Sequence, residues 1–424
     1  MFDDQSNELH NRLKQSDLDE IVALHEKFIV GRNGGRRAVV RHVDMSGLSL
    51  SGRNLHQADF SGCDMTHMDL SGANFREASL YACDLSNSDL NGACFVRSDL
   101  RGSQIESADL TGADLDSADL RGGGISQTVS FDAIKSVNFR GANLSGARLS
   151  GTLAANADFS DAIMAKADLS GADLRSAIFE GADMSEADIG GAQLIGASMK
   201  SAILTGVTLD DIRRSGVNTE GSITDQNVGR SLDELDTPLV TLIKDHQAWV
   251  ASVGKEGQQL DLSEYDLRVL VSLKGEKLTA IKAVSARWNG MDLTGVELQT
   301  AKLDGSDFRS CFLQKSDLRA SSLKDVLLGH ADLRGANLGP LYFGKGDNTC
   351  MNVTDLSGAH LRYADLRGTN FEKANFRDAD VSYADFSKSN VSGADFTGAN
   401  ITGATFSEAK IDEAIFVGEQ PDIR

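Results

Sequence analysis

At 424 residues, with a net charge of −20, 41% hydrophobic and 6% aromatic residues, the chain is long for one globular core and poor in the large side chains such a core needs. No segment approaches the ~18 apolar residues of a membrane span, and the acidic start Met1-Phe2-Asp3-Asp4 has no apolar run, so neither a spanning helix nor a secretory leader is expected. Five cysteines without paired or zinc-type spacing argue against a disulfide framework and for a reducing, cytoplasmic location. The chain then begins with a segment that does not repeat. Ser16 with Asp19 reads as a capping box, and Leu18, Ile21, Val22, Leu24, Phe28 and Ile29 form one apolar face that stops at Gly31. This predicts a helix that caps the segment after it. Arg32, Arg36, Arg37 and Arg41, with His42, make the one basic cluster of the chain and a candidate contact site, closing a first region of residues 1–43.

From Asp44 the apolar period becomes five. Met45, Leu50, Leu55, Phe60 and Met65 begin the series, and near the other end Phe376, Val381, Phe386, Val391, Phe396, Ile401, Phe406, Ile411 and Phe416 continue it without a break. A helix repeats its apolar face every 3.6 residues and a strand every 2, so the chain must turn a corner every fifth residue. A small residue stands two places before each centre, as Ala384 does before Phe386, which is the inward pair of a very short strand. The lap length is set by the phenylalanines: Phe139, Phe159 and Phe179 recur at twenty, as do Phe75 and Phe95. Four five-residue sides therefore make one coil, each Phe stacks on the next coil's Phe, and large walls face smaller ones so that the core fills. The fold class is an all-β solenoid.

This grammar, written as Ala108-Asp109-Leu110-Thr111-Gly112, Ala113-Asp114-Leu115, Ala172-Asp173-Leu174 and Gly393-Ala394-Asp395-Phe396, resembles the pentapeptide-repeat family over most of Asp44 to Val417. The resemblance implies a right-handed quadrilateral β-helix. It also implies one candidate function, because some members linked to quinolone resistance are understood to mimic DNA and engage gyrase.

The first solenoid is predicted over 44–209. Gly122-Gly123-Gly124 marks a kink or corner loop, after which the centres resume at Ile134 and Phe139; at the undersized centre Ala154, Leu153 is expected to turn inward. Residues 210–261 are expected to hold a polar linker and a second cap. In that cap Thr237-Pro238 opens a helix whose apolar face is Leu239, Val240, Leu242, Ile243, Trp249 and Val250. The motif His25-Glu-Lys-Phe28-Ile29 returns as His246-Gln-Ala-Trp249-Val250, so the chain reads as a tandem duplication in which each half is a helical cap feeding a solenoid. A second solenoid is predicted over 262–417, interrupted from Gly339 to Asn348. There a loop carrying Tyr342 and Lys345 should project, with Met351 as the next centre. Residues 418–424 form a tail too short to cover the last coil, which makes that coil a candidate homodimer contact.

Catalytic signatures are lacking: there is no phosphate loop, nucleophile elbow or paired-histidine metal motif, and no enzyme activity, metal or cofactor is expected. His56 and His67 lie near Cys63, but on different walls. Residues twenty apart stack, so Asp44, Asp64 and Asp84 should form one column and Asp69, Asp89 and Asp109 another, either as locally bonded turn residues or as a DNA-like line of charge. The leading expectation is an acidic, non-catalytic scaffold for protein–protein interaction, with no direct nucleic-acid binding. The alternative is a DNA-mimicking modulator of gyrase.

Overall fold

The computed structural model describes residues 12–123, 136–226, 229–343, 350–417 and 421. The chain divides into two compact units, residues 1–227 and 228–424.

The first unit opens on helix α1, Gln15–Ile29, with Leu18, Val22 and His25 buried. The expected capping box does not form. The N-cap is Lys14, no side chain caps the helix, and Ser16 instead donates to its neighbour Asp17 at 3.3 Å because it already lies inside the first turn. The turn after α1 brings residues 38 and 39 alongside the next lap, where Val39 bridges Asp59. From there parallel bridges join residues twenty apart, lap after lap, as in Asp44 to Asp64 to Asp84. Leu50 N–H donates to Asp69 C=O at 2.8 Å and Asp69 N–H to Leu48 C=O at 3.1 Å. At each corner the chain folds back within three residues, as where Ala73 N–H donates to Leu70 C=O at 3.1 Å. Each side thus contributes one bridged residue before the chain turns, so this β-helix is built of isolated bridges and regular strands are few.

The interior is the predicted one of centres and small residues. Phe139, Phe159 and Phe179 stack at 4.9 and 5.0 Å, nearly parallel, and Phe75 on Phe95 at 5.2 Å. Gly124 and the following residues to 135, including the expected centre Ile134, lie outside the described residues. Bridge partners on either side are 34 apart, as in Gln104 and Asn138, so fourteen more residues separate these coils than separate ordinary ones. Leu153 does not turn in: it is 39% exposed beside the buried Ala154. Its N–H and C=O are held by Ala118 and Leu120, at 3.0 and 2.8 Å, and that ladder points its side chain outward.

The predicted linker is partly solenoid. A short helix α2, Leu209–Arg214, buries Ile212, after which Asn218 bridges Ser198 and Ile223 bridges Ile203. The bridged residues Asn218 and Ile223 keep the five-residue step, but Thr219 and Thr224 stand where Leu or Phe would mark a centre, so the pattern does not stand out in sequence.

The second unit holds a short 3-10 turn, Leu232–Glu234, then helix α3, Leu239–Ala251. Pro238, not Thr237, occupies the N-cap, and no side-chain cap bond forms. Coils follow from Asp261, first with partners 21 apart and then twenty apart, because the 3-10 turn Arg268–Leu270 takes up one extra residue. Trp288 lies fully buried on Phe308 at 5.2 Å. Two ladders run near the end of this unit, Phe376–Phe396–Phe416 and Phe386–Phe406, stacked at 4.6 to 4.7 Å and meeting edge to face across the interior. Met351 is not a coil centre. Strands β1, Leu341–Phe343, and β2, Cys350–Asn352, pair antiparallel with each other and leave Met351 43% exposed; the core resumes at Leu356. At the last lap β3, Asp395–Phe396, pairs in parallel with β4, Ile415–Phe416.

The duplication extends to how each cap is seated. Ala38 N–H donates to Nδ1 of His25 at 3.0 Å, and Leu260 N–H to Nδ1 of His246 at 3.1 Å. Both rings are fully buried and stack on Phe28 and Trp249. Gly35 and Gly257 occupy matching places, and a Cβ at either would run into the backbone of the cap helix, at Phe28 N and Asp245 O.

Candidate interaction surfaces

The columns of Asp arise from the turn chemistry of each side. An Asp one place before the centre accepts from the N–H two residues on: Asp89 from Asn91 at 3.0 Å, Asp109 from Thr111 at 3.0 Å, and Asp69 from Ser71 at 3.2 Å. The Ser71 hydroxyl also donates to Asp69, and chiefly this bond holds that carboxyl below its usual range. Asp69, Asp89 and Asp109 bridge one another in series, so the predicted ladder exists, and none of them has an ion pair among the described residues. Asp44, Asp64 and Asp84 also stack, and Arg12 approaches Asp44 at 3.8 Å.

Other walls are not simply acidic. Where Arg stands two places after Asp, its guanidinium folds back along the turn and clasps the carboxylate with two donors. Arg101 holds Asp99 this way at 2.8 and 2.8 Å, and Arg121, Arg175, Arg334 and Arg367 do the same for Asp119, Asp173, Asp332 and Asp365. Asp307, with no exposed surface, is clasped by Arg309; burial favours its neutral form, but the guanidinium outweighs that and the carboxyl stays ionised.

The predicted basic turn divides into two kinds of residue. Arg41 is structural: it pairs with Asp59, whose carboxyl burial would raise but which Arg41 and Ser61 hold down to about 2. Arg37 donates through Nε to the carbonyl of Gln57 at 2.6 Å, a task Gln259 performs in the second unit by donating to Ala280 at 2.8 Å. Arg32 and Arg36 are exposed, and neither has an ion pair among the described residues.

Sequence reasoning missed what lies beside that turn. The wall centred on Leu55, Phe75 and Phe95 carries Asn54, Asn74 and Cys94 in the slot where Asp is usual, and those three bridge in series. Its outward residues include Arg53, His56, Arg76 and Arg97, and Arg37 joins it through Gln57. Five arginines, counting Arg36 and Arg37, meet two glutamates there: Glu26 pairs with Arg53 at 3.5 Å and Glu77 with Arg97. The legible signal was Arg36, His56 and Arg76 at steps of twenty.

Tyr342 is 55% exposed on β1, beside Phe343; Lys345 lies outside the described residues. Cys63, Cys83 and Cys311 are buried fillers whose Sγ donates to a backbone carbonyl, and burial pushes the Cys63 thiol up to about 11. Among the described residues no three His, Cys, Asp or Glu side chains gather as a metal site, and no helix is long and apolar enough to cross a membrane.

A family profile described as pentapeptide repeats matches eight times, at residues 54–92, 83–122, 142–181, 155–191, 179–211, 301–339, 354–393 and 382–418. No curated protein matches. Among solved structures, trypsin-treated QnrB1, a plasmid-mediated fluoroquinolone resistance protein, is 23% identical over 45% of this chain and 91% of its own, with a TM-score of 0.33. HetL, a pentapeptide repeat protein involved in heterocyst differentiation regulation in the cyanobacterium Nostoc, is 21% identical over 91% of this chain and 93% of its own, with a TM-score of 0.14. A pentapeptide repeat protein from the cyanobacterium Cyanothece is 30% identical over 30% of this chain and 88% of its own, with a TM-score of 0.16. At such scores none of the three carries a functional argument.

Proposed function

The chain belongs to the pentapeptide-repeat family, whose fold is a right-handed quadrilateral β-helix, and on that basis we propose that it is a non-catalytic scaffold that binds protein partners through its solenoid walls. One observation carries the reading. Outward side chains are held at fixed spacing by the coil, and neighbouring walls differ in charge: an Asp ladder at 69, 89 and 109, clasped Asp–Arg pairs on other walls, and an Arg-rich wall beside α1. Such surfaces suit recognition by complementary charge. The exposed pair Tyr342 and Phe343 offers an apolar contact of a second kind. The reading includes a cytoplasmic location and a homodimer through the last coil, where Ile401 and Phe406 form the end of the described core.

The clasped Asp–Arg pairs count against the DNA-mimicking alternative, because each guanidinium interrupts the line of negative charge that a mimic needs. The test is capture of partners by the full chain, compared with Arg36→Glu, Asp89→Asn and Tyr342→Ala, with gyrase supercoiling measured alongside. Loss of a captured protein with one wall variant, and unchanged supercoiling, is the expected outcome. Stoichiometric inhibition of gyrase, relieved by Asp69→Asn with Asp89→Asn and Asp109→Asn, would replace the scaffold with the mimic.

A further inference from the structure

The Arg-rich wall of the first unit and the Asp ladder of the same unit have the same pitch. Successive coils are about 4.8 Å apart by β geometry, and the stacked rings of Phe139, Phe159 and Phe179 measure it at 4.9 and 5.0 Å. On one wall His56, Arg76 and Arg97 lie on three successive coils, His56 and Arg97 both beside Glu77, and Arg36 is exposed in the turn before them; the guanidinium groups of Arg36 and Arg76 have no partner among the described residues. On the other, Asp69, Asp89 and Asp109 rise by the same step, each with its turn bonds made and no cation paired to it. Two flat walls with equal periods can place charges opposite one another over several coils at once. A ladder on an α-helix, with its pitch of about 5.4 Å, would drift out of step. Duplex DNA would drift as well, since its phosphates advance about 3.4 Å per strand along the axis.

We infer that the Arg-rich wall docks the Asp69–Asp89–Asp109 ladder of a second copy of this chain. This deepens the scaffold reading and rests on it. The contact is heterologous, one face of a copy against a different face of the next, so it either closes into a ring or grows stepwise. Contact through the last coil would be apolar and weakly dependent on salt. Contact between these walls is ionic and exposed, so it weakens as salt rises.

The test is sedimentation velocity of the full chain over a concentration series, at low salt and at about 0.5 M salt, with Arg36→Glu plus Arg76→Glu, Asp89→Asn plus Asp109→Asn, and Lys200→Glu as the off-wall control. Asn retains the turn acceptor, as Asn143 does in the same column, so the second pair is expected to fold. Circular dichroism checks both. The expected result is self-association at low salt that falls about tenfold or more at high salt, is lost in each pair of variants and persists in the control. A monomer under all conditions, salt-independent association, or duplex DNA binding by this wall in place of self-association would overturn the inference. A monomer that still captures another protein through these walls would refute the second copy as occupant and leave the scaffold reading standing.

Discussion

Protonating the buried histidine of a cap should unseat that cap, and the second unit offers a clean way to measure it. Both tryptophans of the chain, Trp249 and Trp288, lie in residues 228–424, so tryptophan fluorescence reports that unit alone. His246 has no exposed surface, its Nδ1 accepts from Leu260 N–H, and its ring stacks on Trp249 at 5.8 Å. Burial lowers its pKa below the ordinary 6.5, so the folded unit keeps the neutral ring while the unfolded chain takes up a proton. The unfolded state then binds more protons, and stability falls as pH drops through about 6.5 by at most about 1.4 kcal/mol per pH unit. Between that point and pH 5 the loss approaches about 2 kcal/mol if the folded ring stays neutral. The carboxylates act in a different window: Asp332, pushed up by burial but held lower still by Arg334, contributes stability that is lost only as pH falls below about 3.8. Urea unfolding at about pH 8 and about pH 5, on the native chain and on His246→Gln, separates these effects. The variant should be weaker by about 1–3 kcal/mol at the higher pH, because a flexible amide replaces the buried ring that stacks on Trp249 and holds the acceptor of Leu260 N–H in place, and it should lose less on acidification. If both proteins lose the same stability between the two pH values, His246 is not the group that takes up the proton.

The Phe ladders, close approaches and clasped pairs give further tests. Phe159→Ala removes the middle ring of a fully buried stack and should destabilise the first unit by about 3–5 kcal/mol in urea unfolding followed by circular dichroism. Gly35→Ala and Gly257→Ala should each release a cap, read as faster amide exchange in α1 or α3 with the coils beyond still protected. Asp307→Ala leaves Arg309 largely buried without its carboxylate, at a cost of about 3–5 kcal/mol. Asp119→Asn, on an exposed clasp that solvent screens, should change stability by less than about 1 kcal/mol.

Much of this fold was legible because its period is unusual. A spacing of five, with Phe at twenty, admits few backbones, and the positions it marks, from Met45 through Phe406, are the buried ones. The duplicated caps were legible for the same reason, as His25 and His246 recur in one local pattern. Failures came where a residue's neighbours are set by pairing across laps. Met351 kept an apolar character that suited a centre, but β1 and β2 pair with each other and exclude it from the coil. Leu153 looked free to turn inward until the ladder through Ala118 and Leu120 held its backbone. Ser16 had the right companion for a cap but lay too late, inside the helix.

The sequence by itself determined the repeat, the lap, the two halves and the existence of the Asp column at 69, 89 and 109, because these depend only on which residues recur at five and at twenty. The tertiary structure decided which charges remain free. Asp–Arg clasps depend on how a side chain folds back at a turn, and the Arg-rich wall gathers residues from a turn and three successive laps. A linear chain sees Arg36, Arg53, Arg76 and Arg97 as scattered positive residues in an acidic background; the coil places Arg53, Arg76 and Arg97 on three laps within two bridge spacings, with Arg36 in the turn before them.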